Sequence, residues 1–515
     1  MSKPYYITTP IYYPNSDPHI GSVYTTLCCD VLARFMRLDG HEVKFLTGTD
    51  EHGQKIEQTA TKLGKSPQEF VDEASKSFRN VLAVYNLSVD DFIRTTELRH
   101  KRGVQHFWEL LEKKGYIYLG SYAGWYAVRD EAFYTESDLV DGKAPTGAPV
   151  EWVEEPSYFF KLSAFQDKLL EYYASHPDFI APLSRRNEVL SFVKGGLKDL
   201  SVSRTSFKWG IPVPGNESHV IYVWLDALMN YLTALGYPDR EKRDYTTFWP
   251  ADVHMVGKDI LRFHAVYWPA FLMAADLPLP KKIFAHGWWT NKGQKISKSL
   301  GNVIDPYEIA ETYGVDQVRY FLIREVPFGN DGDYSEEALI SRVNSQLSNE
   351  LGNLVQRTLS MVWKNCEEKM PSPSIPFEEG DKALMKKAYS LIEDIRPLLQ
   401  KDQALSKYVD LLWQLVGDAN RYVDTQAPWA LRKNNPPRME VVLYTLCEVI
   451  RVLGILLQPL IPASAAKILD QLGVPEQART FKNLEAVDAL KPGAPIQEPQ
   501  GIFPRLNDVR NPETC

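Results

Sequence analysis

Cysteine is scarce in this chain and poorly placed for a scaffold. The 515 residues hold five: Cys28, Cys29, Cys366, Cys447 and Cys515. None forms a Cys-x-x-Cys pair, which excludes a cysteine zinc finger and leaves no disulfide framework to read. Thiols of this kind suit a reducing compartment, so the cytoplasm is expected. No apolar run reaches the roughly 20 residues needed to span a bilayer. Met1-Ser2-Lys3-Pro4-Tyr5 has no basic stretch leading into an apolar core, so no secretion signal is expected. An excess of basic charge is missing too. The net charge of −8 argues against a surface coated with nucleic acid, yet permits a local cationic groove. Internal repeats and low-complexity tracts are absent. What remains is an ordinary globular composition, 44% hydrophobic and 24% charged. It is long enough for about two to four domains.

The first third alternates strand and helix patterns. Tyr5–Thr9 reads as a strand. In 20–38, Ile20, Val23, Tyr24, Leu27, Val31 and Phe35 are spaced for one buried helical face. Val43–Thr47 reads as a second strand. Ser66-Pro67-Gln68-Glu69 opens a helix, with a serine cap, proline in the first turn and glutamate placed for a capping box. Asp91–Thr95 and Leu98–Lys114 repeat the pair, stopped at Gly115. This rhythm predicts a parallel sheet wrapped by helices.

Aromatic and turn residues then crowd 116–160, which reads as an insertion. The βα rhythm returns at Ile221–Leu225, Val253–Gly257 and Ile283–His286, so an α/β fold split in sequence is expected to rejoin in space. Beyond about 330 only helical patterns remain, over 334–362, 380–400, 403–424, 438–457 and 461–472.

Two short segments carry chemistry. His19-Ile20-Gly21-Ser22 lies where a loop after a strand meets a helix start. Helix N-termini present unpaired N–H groups and a positive dipole end, which hold phosphate. Gly21 allows close approach to the backbone, and His19 is a donor to phosphate oxygens. Four letters alone more often mark a capped helix with an incidental histidine. Gly293-Gln294-Lys295-Ile296-Ser297-Lys298-Ser299-Leu300-Gly301 is a glycine-flanked loop with two lysines three apart, suited to charge that develops on a triphosphate. Alone it would be a solvated turn. The two together, in this order on a split α/β fold, are much harder to reach by chance.

In these motifs the chain resembles class I aminoacyl-tRNA synthetases, whose signatures are HIGH and KMSKS. Further segments are similar to the methionyl-tRNA synthetase family: Thr9 to Asn15, Gly48 to Gly53, Tyr222 to Ala227, and Gly257 to His264. The resemblance covers nearly the whole chain. It implies a Rossmann-type catalytic domain at 1–115 and 220–291, and an inserted connective domain at 116–219. A KMSKS-loop linking domain would follow at 292–340, then an all-α helical-bundle anticodon-binding domain at 341–515.

The resemblance also implies the chemistry. L-methionine is activated with ATP and Mg²⁺ to methionyl-AMP, then passed to tRNA(Met), initiator tRNA included. His19, Lys295 and Lys298 would be catalytic. His19, Gly21, Ser22, Gly257, Asp259 and Lys298 would bind ATP. Ile11, Tyr13, Asp50, Trp224, Ala227, Tyr231, Phe263, His264, Tyr267 and Trp268 would bind methionine. Asp50 would take the ammonium group and the aromatics the thioether, which packs well on rings. Asn349, Asn353 and Arg357, four apart on a helix, and Trp429, after a helix-ending Pro428, would read the CAU anticodon.

The chain departs from the family pattern at three places. Ser22 replaces the second signature histidine. Leu228 stands where proline is common. Ala127, Asp130, Ala144 and Gly147 fall where zinc-knuckle cysteines are common, so no zinc is expected. The length between 115 and 220 is too short for the large editing insertion of the leucine, isoleucine and valine enzymes, and a monomer is expected. Two alternatives stay open. One is a synthetase-like tRNA-binding protein with little catalysis, the other a class I synthetase for a different apolar amino acid.

Overall fold

The computed structural model describes residues 2–15, 17–130, 132–291, 293–296 and 302–507. Its organising element is a six-stranded sheet in which every pairing is parallel. Strand β1 (Pro4–Thr8) is central. On one side lie β2 (Glu42–Thr49) and then β3 (Asp91–Arg94); on the other lie Val253–Gly257, Ile283–His286 and Ile180–Ala181. β1 pairs Ile7 with Val253, so strands far apart in sequence close one sheet. Strand order reverses beside β1. That is the switch point where open α/β sheets leave a crevice at the carboxyl ends of their strands.

Helix α1 (Ile20–Leu38) follows β1 and has the bounds its apolar spacing predicts. The helix Pro67–Val84 begins with the expected capping box between Ser66 and Glu69. The helix Leu98–Lys113 ends before Gly115, which takes a positive φ of 74° that favours glycine.

Two expectations for the middle of the chain need correction. Ile221–Leu225 is not a strand of the parallel sheet. Asn216–Ile221 is a strand, but it pairs antiparallel in a separate three-stranded sheet, and Val223–Leu228 is a helix. A short continuous apolar run fits either form, and periodicity does not separate them. Nor is the stretch 116–219 wholly apart from the parallel sheet, because Ile180–Ala181 pairs with Ile283–Phe284 at its edge. Its outer part is a long antiparallel ribbon, Ile117–Ala127 against Glu151–Phe160.

After Tyr334 the described residues form helices. Glu336–Arg342, a wider π-helical stretch Val343–Gly352 and Asn353–Asn365 run on as one rod. Glu379–Gln400, Leu405–Gln426, Pro436–Leu457 and Pro462–Gln471 pack around it. Pro436–Leu457 is buried from Val441 to Leu457 on every side, as a helix at the centre of a bundle must be. No helix among the described residues is long and apolar enough to cross a membrane.

Candidate functional site

A cavity of about 510 Å³ lies at the sheet's switch point, and its wall is assembled from every segment that follows a central strand. Residues 10–13 follow β1, Asp50 follows β2, Gly257, Asp259 and Ile260 follow Val253–Gly257, and 286–289 end the next strand. The first turn of α1 contributes His19, Gly21 and Ser22. His19 caps that helix, and its Nδ1 accepts from the Gly21 N–H at 3.0 Å. An accepting Nδ1 leaves the proton of the neutral ring on Nε2. A Cβ on Gly21 would sit 2.8 Å from His19 Cε1, so the ring folds over its own helix only because residue 21 has no side chain. Ser22 is buried; its carbonyl accepts from Tyr12 Oη at 3.0 Å and Thr26 Oγ1 at 2.9 Å.

The aromatic wall has two layers. Ile11, Tyr13, Trp224, Ala227, Leu228, Tyr231 and His264 line the cavity. Phe263, Tyr267 and Trp268 do not reach the lining. Phe263 stacks flat behind Trp224, 3.5 Å between centroids and 8° between planes, and Tyr267 meets Phe263 edge-on. Trp268 is fully buried behind Tyr231 and donates to His254 Nε2 at 3.3 Å. The physical reason is local. Residues 263–267 form a π-helical turn ahead of Pro269, so aromatics expected on one face are spread over two depths. The polar groups of this wall are fixed. His264 Nδ1 donates to the Ile260 carbonyl at 3.0 Å, so its Nε2 accepts from Tyr231 Oη at 2.7 Å. Burial pushes the His264 imidazole down to about 4, against the weaker pull of that carbonyl. His254 donates from Nδ1 to Thr8 Oγ1 at 2.7 Å, and burial holds it well below the usual histidine range.

Lys298 lies outside the described residues; of Lys295 only the backbone, paired with Thr290, is described. The Asn291 side chain donates to the Asn302 carbonyl at 3.0 Å, joining the chain on either side of the lysine loop.

The ribbon tip also reaches the cavity, through Arg129 and Asp130. Behind them Ala127, Ala144 and Ala148 form a small dry cluster with Tyr134 and Val150. Asp130 accepts from Tyr134 Oη at 3.1 Å and from Thr146 Oγ1.

In the helical part Trp429 is 52% exposed and Asn353 is exposed as well. Arg357 instead turns to Asn420 (2.9 Å) and Asp424 (3.1 Å), and Asn349 accepts from Arg505 at 2.8 Å. Asn349 sits in the π-helical stretch, where four residues fall short of one turn. The stripe expected from a spacing of four is therefore not regular there.

The sequence matches the family model described as class I tRNA synthetases (M) over residues 5–150 and 137–359. It matches the anticodon binding domain of methionyl tRNA ligase over 377–513. The methionine–tRNA ligase of Rickettsia felis is 59% identical over 98% of this chain and 99% of its own length. That of Brucella suis is 56% identical over 97% of this chain and 98% of its own. The chain belongs to the methionyl-tRNA synthetase family. Among solved structures, Mycobacterium tuberculosis methionyl-tRNA synthetase in complex with methionyl-adenylate superposes with a TM-score of 0.95 at 51% identity, covering 98% of this chain and all of that one. Its free-state structure gives 0.89 at 48% identity, over 99% of each chain. Within this methionyl-tRNA synthetase fold, the sequence reading passed over Lys55, Thr25, Arg129, Asn230 and Trp288, all of which line the cavity. None belongs to a segment that resembles the family signatures, although Trp288 lies just past the strand Ile283–His286.

Proposed function

We propose that the chain activates L-methionine with ATP, releasing pyrophosphate, and then transfers the acyl group to the 3′-terminal ribose of tRNA(Met), initiator tRNA included. One observation carries the site: the first turn of α1 and the front layer of the aromatic wall line a single cavity, with Asp50 beside them. That wall suits a long, polarizable thioether chain. The methionine carboxylate attacks the α-phosphorus, so no side-chain nucleophile is needed. Catalysis is positioning and charge stabilisation. His19, with Nδ1 occupied by Gly21, offers Nε2–H to phosphate oxygens. The helix N-terminus, Ser22, Gly257 and Asp259 complete the ATP side, and Lys298 and Lys295 act from the signature loop. Mg²⁺ bound together with the triphosphate would supply charge neutralisation to the departing pyrophosphate, with the carboxylate of Asp259 the acidic group on the ATP side that could help hold it.

We read the ribbon tip as a metal-free knuckle. Alanine side chains fill its centre, and the carboxylate of Asp130 is engaged by Thr146 and Tyr134. Stoichiometric zinc in elemental analysis would overturn this. Trp429 and Asn353 offer a stacking surface and an amide to an unpaired anticodon base, while Arg357 must leave its partners or act through them. A cytoplasmic monomer fits this reading. The deciding experiment is ATP–pyrophosphate exchange with each of the twenty amino acids. A signal with methionine alone supports the assignment; no signal with any favours a tRNA-binding protein without catalysis.

A further inference from the structure

Under the cavity floor lies a chain of buried polar groups in which no member touches the cavity. The carboxylate of Asp226 is fully buried and takes one imidazole on each oxygen: His52 Nδ1 at 2.6 Å on Oδ2, and His100 Nε2 at 2.7 Å on Oδ1. His100 continues through Nδ1 to Thr233 Oγ1 at 2.8 Å. Burial alone would raise the Asp226 carboxyl, but the two imidazoles outweigh it and hold the group below the usual carboxylate range. His52 Nε2 is buried without a hydrogen-bond partner, the ring set edge-on to Trp209 at 5.5 Å. An unsatisfied buried nitrogen is unfavourable on its own, so the Nδ1 contact with Asp226 is what holds this ring.

The two ends of that contact belong to two halves of the site. On the His52 side, the backbone of 50–53 is pinned residue by residue. Asp50 N donates to the Tyr12 carbonyl at 2.8 Å, and Glu51 N to Thr95 Oγ1 at 2.9 Å. The Glu51 carboxylate receives Thr49 and Arg94, each at 2.7 Å, and Gly53 N donates to the Trp209 carbonyl at 3.0 Å. Asp50 is the residue of this segment that lines the cavity. On the other side, Asp226 lies in the helix Val223–Leu228 between Trp224 and Ala227, which both line it.

We infer that the His52–Asp226 contact is a strut that fixes the distance between the ammonium-binding carboxylate and the thioether wall, which makes His52 and Asp226 positioning residues for amino-acid selectivity. This rests on the reading that Asp50 takes the ammonium group and that Trp224 and Ala227 take the side chain. The His100 arm runs from Asp226 to Thr233 in the short helix Asn230–Thr233 and makes no hydrogen bond to the segment 50–53 among the described residues, so it serves as a built-in comparison for the link to Asp50.

The test is methionine-dependent ATP–pyrophosphate exchange, run also with S-methylcysteine, one methylene shorter, and ethionine, one longer. Misplacing one half of a site by about 1 Å costs up to about a hundredfold, so His52→Ala should raise the KM for methionine by about tenfold or more. The KM for ATP and kcat should stay near wild type, and the preference for methionine over both analogues should narrow. His52→Asn, whose amide N–H replaces Nδ1–H, should recover most of the loss. His100→Ala should lower the melting temperature without moving the KM for methionine. If His52→Ala does not fold, Asp226→Asn, which weakens both imidazole contacts with the side-chain shape kept, is read against His100→Ala, and the rise in the KM for methionine beyond that of His100→Ala reports the His52 contact. The strut is overturned if His100→Ala matches His52→Ala, or if the KM for ATP rises in step with that for methionine. Asp50→Asn separates the two levels: an unchanged KM for methionine in that variant refutes the site reading itself, while a raised one with unaffected His52 and Asp226 variants refutes only the strut.

Discussion

Gly21→Ala isolates the geometry of the first signature, because its effects on folding and on activity should part company. The new Cβ would lie 2.8 Å from His19 Cε1, closer than such atoms approach in folded proteins, and a tight 3.0 Å from Nδ1. The ring must swing away, which breaks the bond from Gly21 N to Nδ1. That costs about 1 kcal/mol. Alanine in place of glycine within a helix returns about 1 kcal/mol. Residue 21 has no positive φ to oppose the change. The melting temperature should therefore stay close to wild type. Activity should not, because the Nε2–H that Gly21 aims would no longer meet the phosphates. Loss of one preorganised donor costs roughly 10²–10³ in kcat. The assay is ATP–pyrophosphate exchange at saturating methionine, with His19→Ala and the double variant alongside. If Gly21 acts through His19, the double variant should be no worse than His19→Ala alone, the non-additivity expected of coupled groups. Wild-type kcat in Gly21→Ala would refute the argument. Strictly additive losses would mean that the Cβ obstructs the nucleotide instead.

Trp429→Ala should lower aminoacylation strongly and spare ATP–pyrophosphate exchange, since the exposed ring lies at the start of the helix Pro428–Asn434, in the helical part of the chain; equal loss in both assays would mean damaged folding. His264 should make the protein sensitive to acid. Its pKa falls from the ordinary 6.5 to about 4 in the fold, so below pH 6.5 the unfolded chain binds a proton that the native one refuses. Stability should decline by about 3 kcal/mol between pH 6.5 and 4 from this group, and His264→Asn should flatten that part of a urea-midpoint profile. Arg319→Met should destabilise by about 3 kcal/mol, because it removes a buried partner of Asp30 (2.8 Å) and the donors to the carbonyls of Tyr85, Pro459 and Leu460. Adding Asp30→Asn should recover part of that loss in thermal melts, and a fully additive double variant would refute the pairing.

Long periodic elements were legible in the sequence because local chemistry decides them. Helix α1 and the strand Ile283–His286 have the bounds that their patterns give, and Ser66 with Glu69 announces its helix start in four letters. Elements decided by tertiary context were not legible. Ile180–Ala181 has two residues and no alternation to show, and only the neighbouring strand makes it part of the sheet. Val223–Leu228 is apolar enough to be strand or helix, and packing chose helix.

The site divides in the same way. The segments that resemble the family were visible as a set, and Ile11, Tyr13, Asp50, Trp224, Ala227 and His264 from them line one cavity with Tyr231. Depth was not visible. A wall two rings thick needs aromatics in front and behind, and Trp224 on Phe263 shows that both layers carry the same residue types. A sequence gives no sign of which ring faces the ligand when a π-helical turn has shifted the helical phase. The rear layer still matters: a side chain that backs Trp224 at 3.5 Å fixes the plane of the ring in front of it.

Helix α1 explains why a one-sided pattern understates this protein. Its apolar spacing describes a single face, yet fifteen of its nineteen residues are buried, Asp30 among them. A buried carboxylate is untenable on the surface such a pattern implies, so it already demands partners from elsewhere. They come from three places: Arg34 one turn on, Ser88 through both its N–H and its hydroxyl, and Arg319 across 289 residues of sequence. Arg319 also holds the carbonyls of Pro459 and Leu460 beside the last long helix, and Asp39 beyond the end of α1 receives Arg396 and Gln400 from the helix Glu379–Gln400. The helix that His19 caps at the cavity is therefore bolted to the helical part of the chain at its middle and at its end. Buried charge in a helix that reads as amphipathic thus points to a second packing surface, and here that surface joins the part of the chain matched as an anticodon-binding domain to the first turn of the catalytic site.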